Sequence, residues 1–316
     1  MRADILKAID ENEHFLITAH CNPDGDALAS TLALGNALRE MGKKVVMYNV
    51  DPVPAKLAFL PGADTVVRDL GENRFDVGFV LDCGDLRRIG NDDLPSRCRF
   101  VVDIDHHGEG HAFGDCRLID PGASATGALV YRVLRQCPSY RFSTDVAICI
   151  YTAVYSDTGA FHFSNSDREA FAIAAEMVAL GIQPARVASS LETCEASELR
   201  LLCRILKTLE ISEDGRVASL VVSLRDMAET GTSPEHTETF IDYPRSIRGV
   251  DVALLFRQQA ERQYKIRMRS RHVNVGALAH ALGGGGHANA SGVMLEGTLE
   301  EVEKKVHATL EKLSAV

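Results

Sequence analysis

The first half of the chain alternates short apolar runs with longer amphipathic stretches. Residues 14–20 (HFLITAH) are an apolar run, and residues 26–42 (DALASTLALGNALREMG) repeat apolar positions at helical spacing up to a glycine stop. Residues 44–50 (KVVMYNV) return to a strand pattern, so the three segments predict a strand–helix–strand unit. Two more apolar runs, 76–82 (DVGFVLD) and 99–105 (RFVVDID), lack clean alternation, as parallel strands buried on both faces do. Helical spacing recurs near 124–136, 143–156 and 167–180. The last helix has a predicted capping box, Ser166 with Glu169, at its start and Gly181 at its end.

The pattern shifts after residue 183. Residues 184–210 predict an amphipathic helical linker, and beyond SEDGR (212–216) strand patterns follow one another. These are VASLVVSL, DVALLFRQQ and QYKIRMRS, with a hairpin turn at QQAER, before a terminal helix near 298–313. The predicted architecture is α/β. A mostly parallel-sheet domain covers 1–183, a helical linker 184–210, and a smaller α+β domain 211–316, with a cleft between the two domains.

Composition narrows the classes. The longest apolar runs, such as VAICIYTAVY (146–155), are too short to span a bilayer, and the charged start MRADILKAIDENE is not a signal peptide. The expectation is therefore a cytoplasmic protein with no membrane partner. Eight cysteines without a C-x-x-C pair predict reduced, buried thiols, not a disulfide framework or a zinc ribbon. A net charge of −10 argues against coating long nucleic acid, but leaves small nucleotides open.

The candidate chemistry lies at the ends of the predicted strands, where parallel sheets collect functional groups. One run ends in His20, another in Asp82, and a third in Asp105 followed by His106 and His107. The loop HCNPDGD adds Asp24 and Asp26, and YSDTG adds Asp157. Taken alone, PDGD is more often a turn with a helix N-cap at Asp26, and DTG a helix-ending turn. Converging on one sheet edge, these oxygen and imidazole donors suit Mn²⁺ or Mg²⁺ better than structural zinc.

HCNPDGDALAS, VLDCGDLRRIG, DIDHH and YSDTGAF resemble, in order, the four motifs of the DHH phosphoesterases. GGGGHANASG (283–292) resembles the glycine-rich signature of their associated C-terminal domain, so the likeness spans nearly the whole chain. The branch it most resembles is that of stand-alone bacterial oligoribonucleases that also dephosphorylate 3′-phosphoadenosine 5′-phosphate (pAp). The resemblance implies two divalent cations, Mn²⁺ first and Mg²⁺ second. One would be held by His20, Asp24 and Asp82, and the other by Asp26, His106, Asp157 and again Asp82. It implies that Asp105 orients an imidazole, and that His107 contacts phosphate or acts as an acid on the leaving oxygen. Arg88, rather than Arg87, would reach a phosphate, with a solvated surface arginine as the alternative. Arg269, Ser270, Gly285, Gly286 and His287 would bind the substrate.

The local charge of the second domain agrees with a nucleotide phosphate site. Residues 250–272 hold six Lys/Arg against two Asp/Glu in a chain that is acidic overall. The expected substrates are very short RNA, including linear dinucleotides such as pGpG or pApA, cleaved to 5′-mononucleotides, and pAp cleaved to AMP. Alternatives are a cyclic di-AMP phosphodiesterase and a non-catalytic nucleotide sensor. GGGGHANASG argues against a manganese-dependent pyrophosphatase. Oligomeric state stays open, a homodimer included.

Overall fold

The computed structural model describes residues 2–314 except 109, 110 and 139. The chain divides into two compact units, residues 1–193 and 194–316. In the first, α1 (Arg2–Glu11) leads to β1 (His14–Ala19), α2 (Gly25–Glu40), β2 (Lys44–Tyr48), β3 (Val66–Val67), β4 (Phe75–Leu81), β5 (Cys98–Asp105) and β6 (Cys116–Ile119). The helices α3 (Thr126–Leu134), α4 (Thr144–Asp157), α5 (Arg168–Ala179) and α6 (Pro184–Glu192) follow.

All neighbouring strands of this sheet pair parallel, in the order β3-β2-β1-β4-β5-β6. Both faces are covered, which explains the continuous apolar runs. On β1, Phe15 and Ile17 pack with Leu28 and Leu32 of α2, while Leu16 turns to the opposite face with Val80, Ile89 and Leu94. The chain order reverses at β1, between β2 on one side and β4 on the other. The carboxyl ends of β1, β4 and β5 therefore share one edge at a topological switch point.

Two helix starts differ from the sequence expectation. Asp24, not Asp26, caps α2, its side chain accepting from Ala27 N, so Asp26 is free to turn inward from the first helical turn. The N-cap of α5 is Asp167, which accepts from Ala170 N, and not Ser166, whose hydroxyl is buried without a hydrogen-bond partner. Glu169 is drawn away from any capping box into an ion pair with Arg132.

The second unit starts with α7 (Ala196–Ile205), after a break at 193–195 in the stretch expected to be helical throughout. It continues with β7 (Glu210–Ile211), β8 (Val217–Val222), α8 (Leu224–Thr230), α9 (Asp242–Ser246), β9 (Val252–Ala260), β10 (Gln263–Ser270), α10 (Val275–Ala281), β11 (Gly285–His287), β12 (Ala290–Glu296) and α11 (Leu299–Ser314). Its mixed sheet runs β11-β12-β10-β9-β8-β7, with only β8 and β9 parallel. Alternation on β10 buries Tyr264, Ile266 and Met268 against Leu278, Val302 and Val306, and turns Lys265, Arg267 and Arg269 to the other face. The glycine run expected as a loop is partly β11, an edge strand paired antiparallel with β12. No single helix among the described residues is long and apolar enough to cross a membrane.

Candidate metal centre

The six expected ligands converge at the switch point of the first unit. His20 follows β1, Asp24 and Asp26 bracket the start of α2, Asp82 follows β4, His106 follows β5, and Asp157 is the last residue of α4. His20, Asp24 and Asp82 form one group of donors, and Asp26, His106 and Asp157 another. Asp82 belongs between them. Its Oδ2 lies 3.7 Å from His20 Nε2, and its Oδ1 lies 3.6 Å from His106 Nε2.

Each imidazole is aimed from behind. His20 Nδ1 donates to Cys21 O at 2.8 Å, leaving Nε2 to face Asp24 and Asp82. His106 Nε2 stands 3.9 Å from Asp26 Oδ2 and 3.7 Å from Asp157 Oδ2. Asp82 has a left-handed backbone, φ 55°, which for a non-glycine residue is strain of the sort found at functional sites. Its N–H still donates to Ile104 O at 3.0 Å, so the β4–β5 ladder carries it into place.

Residues without obvious chemistry complete the site. Asp26 is almost wholly buried, and the first turn of α3 holds it through Thr126 N (2.6 Å) and Gly127 N (2.9 Å). Ser30 Oγ donates to Asp26 Oδ1 at 2.8 Å, and Thr126 Oγ1 donates to Asp82 Oδ1 at 3.1 Å. A helix N-terminus is a natural seat for a carboxylate. Sequence reasoning missed Ser30, Thr126 and Gly127, because backbone N–H groups leave no mark on residue type and a lone hydroxyl on a helix carries no motif. The one available signal was a small-residue segment, PGASATG (121–127), opening a helix.

Asp105 groups with Asp82, His106 and His107, but its side-chain hydrogen bonds go to His107 and Gly84. Its Oδ1 accepts from His107 N (2.9 Å) and sits 2.6 Å from His107 Nδ1, while Oδ2 accepts from Gly84 N. The imidazole it orients is therefore that of His107. Burial opposes charge on this ring, but Asp105 and Asp82 prevail and push its pKa up to about 11. Arg87 is engaged with Asp85 at 2.5 Å, whereas the side chain of exposed Arg88 has no carboxylate partner among the described residues and reaches Cys83 O at 3.5 Å.

The donor set fits divalent cations. Four carboxylates crowd together, and among the described residues they have only histidines as ion-pair partners. Asp26 is pushed well above the usual carboxylate range by burial and by Asp82, Asp157 and Asp24. Asp157 is raised to about 6 by burial, with Asp82 and Asp24 adding against the pull of His106. Asp82 is held well below the usual range, because hydrogen bonds from His107 and His20 outweigh its burial. Such like-charge crowding is stable when a cation sits among the oxygens. Carboxylate oxygens with two imidazoles are the donors of a divalent-cation site.

In the second unit the expected substrate residues are only partly brought together. The register sets Arg269, Ala290 and His287 in one row across β10, β12 and β11. Strand alternation puts Ser270 on the opposite face from Arg269, buried, with its Oγ accepting from Val273 N at 2.8 Å. Burial, then Arg267, lowers the Arg269 pKa to about 10. Gly286 has φ 133°, and a Cβ there would lie 2.5 Å from Ser291 Cα, so β11 and β12 can approach only because this position is glycine. The His287 side chain lies outside the described atoms.

Comparison with known proteins agrees with this geometry. Residues 14–154 match the model of the DHH family N-terminal domain, and 214–315 match the DHHA1 domain. The bifunctional oligoribonuclease and PAP phosphatase NrnA of Thermus thermophilus is 30% identical over 99% of this chain and 93% of its own length. The chain belongs to the DHH family. The Bacillus subtilis protein of the same name is 25% identical, covering 93% of each chain. The structure of an exopolyphosphatase-related protein from Bacteroides fragilis superposes with a TM-score of 0.93 at 28% identity, over 98% of this chain and 95% of that one. Similarity to the cyclic-di-AMP phosphodiesterase PdeA of Listeria monocytogenes is lower, 23%, and this chain spans 49% of that protein.

Proposed function

We propose that this chain is a two-metal phosphoesterase that hydrolyses very short oligoribonucleotides, linear dinucleotides among them, to 5′-mononucleotides, and converts pAp to AMP. The observation that carries the reading is Asp82, whose two oxygens face two different His/Asp sets. The names of the Thermus and Bacillus relatives support the substrate class. The lower likeness to PdeA, over half of that protein, leaves a cyclic dinucleotide less favoured.

His20, Asp24 and Asp82 would hold one divalent cation, and Asp26, His106, Asp157 and Asp82 the other, Mn²⁺ being the first choice. Two such ions supply charge stabilisation for a phosphoryl displacement and lower the pKa of water. His107, 2.6 Å from Asp105 and 3.3 Å from Asp82, donates to a phosphate oxygen or gives its proton to the departing oxygen. Asp105 keeps the ring turned for that task. Arg88, without a carboxylate partner, adds a charge-assisted contact to phosphate. In the second unit, Arg269 and His287 share a row in which only the small Ala290 stands between them, and bind a nucleotide phosphate there.

The test is hydrolysis of pAp, pApA, longer RNAs and cyclic di-AMP in one buffer with Mn²⁺, Mg²⁺ or chelator. Metal-dependent turnover of pAp and the shortest RNAs, with cyclic di-AMP slow, is the expected result. Turnover of cyclic di-AMP alone would move the chain to that activity, and binding without turnover would make it a sensor.

A further inference from the structure

Asp157 ends α4, and the segment after it is constrained. Gly159, Ala160 and Phe161 have φ of 56°, 56° and 64°, three successive left-handed residues. L-residues avoid such runs, so the surroundings must hold this one in place. Thr158 does so. Its Oγ1 donates to Val154 O at 2.6 Å and accepts from Phe161 N at 3.1 Å, and its carbonyl accepts from His162 N and Phe163 N. The Phe163 ring lies over Gly159, where a Cβ would come within 2.4 Å of it.

The turn brings Asn165 back to the end of α4. Its Nδ2 donates to Asp157 O (3.1 Å), Asp157 Oδ2 (3.1 Å) and Ser124 O (2.9 Å). One amide thus holds both the main chain and the carboxylate of Asp157. It also ties them to the segment just before α3, whose first turn holds Asp26 and Asp82. The acceptors fix the amide's orientation, since its oxygen would face three oxygens if reversed.

We propose that Asn165 is the positioning residue for Asp157. It sets the carboxylate on the His106 side of the centre, at the 3.7 Å separation from His106 Nε2, and the left-handed turn exists to deliver it. This inference rests on the two-metal reading of the site, but not on any substrate. Partners of metal-binding side chains contribute on the order of ten- to a hundredfold to metal affinity.

Calorimetric titration with Mn²⁺ of the whole protein tests it, using Asn165→Ala, Asp157→Ala and the double variant. In Asn165→Ala, the His20–Asp24–Asp82 site should keep its affinity, while the other weakens on the order of ten- to a hundredfold. Added to Asp157→Ala, the substitution should change nothing further, because it acts through that carboxylate. Asn165→Ser, which keeps one donor, should fall between, and serves if the alanine variant does not fold. Equal weakening of both sites would make Asn165 a general structural residue and overturn the proposal. Unchanged affinities, or additive losses in the double variant, would overturn it as well. If the wild type binds no Mn²⁺, the metal centre itself falls and this inference with it. Two filled sites without turnover would sink only the proposed activity.

Discussion

At φ 55°, Asp82 sits where glycine would be at ease, yet only a carboxylate there can face both ligand groups. Replacing it should therefore separate backbone cost from function. Asp82→Ala and Asp82→Gly should both abolish hydrolysis and weaken both Mn²⁺ sites, as calorimetric titration would show. The glycine variant should be the more stable of the two by about 1 kcal/mol in urea unfolding, because it adopts the left-handed backbone freely. Two intact sites in either variant would remove Asp82 from the bridging position. A second carboxylate makes a prediction about pH. Asp103 on β5 is buried; one oxygen meets Arg117 Nε at 3.2 Å and the other has no hydrogen-bond partner among the described residues. Burial raises its pKa to about 6 against the pull of Arg117. The folded state thus holds this proton more tightly than the unfolded chain, whose Asp pKa is about 3.9. Its contribution is fully present below that value and is lost as pH rises through about 6. Asp103→Asn should flatten this slope, so the variant gains on the wild type between pH 4 and pH 7. Parallel stability curves for the two proteins would count against the buried charge.

The elements that carry ligands meet by close backbone approach. A Cβ on Gly25 would lie 2.0 Å from Ser156 Oγ and 2.5 Å from Ser156 Cβ, at the contact between the start of α2 and the end of α4. Gly25→Ala should push apart the helices bearing Asp24, Asp26 and Asp157. A loss of roughly 1–3 kcal/mol of stability, with reduced hydrolysis, is the expected outcome. Adding Ser156→Gly should restore much of both, and a double variant no better than the single would place the strain elsewhere. The parallel strands were legible because a strand buried on both faces must be apolar throughout, and the polar residues that break such a run are the candidate site residues. That is why His20, Asp82, Asp105, His106 and His107 could be read together. Helix starts were less legible, since Asp24 and Asp26, or Ser166 and Asp167, are equally able caps and packing chooses between them. The α3 N-terminus was illegible because its hold on Asp26 is made by backbone N–H groups. The glycine run read as a loop because pairing of Gly285 and Gly286 with β12 depends on tertiary contact, not on propensity.

On the scale of the molecule, the proposed function divides chemistry and substrate recognition between the two units of the chain. If His287 belongs to recognition alone, His287→Ala should leave Mn²⁺ affinity nearly unchanged and raise KM for short RNA. One lost hydrogen bond to a charged phosphate is worth about 1.5–3 kcal/mol, so kcat/KM should fall on the order of ten- to a hundredfold. Bis-p-nitrophenyl phosphate, which has no second nucleotide to hold, should suffer less. Equal loss on both substrates with weakened metal binding would place His287 at the metal centre. The crowding of Asp24, Asp26, Asp82 and Asp157 reaches beyond catalysis. These carboxylates repel one another unless cations lie among them, so ions that bind only the folded chain hold it folded by mass action, by about 2.7 kcal/mol at a hundredfold excess over Kd for each site. In a cell short of divalent metal, loss of activity would then be followed by loss of the protein itself. The unfilled chain would open more often, proteases would reach it, and its abundance would follow metal supply.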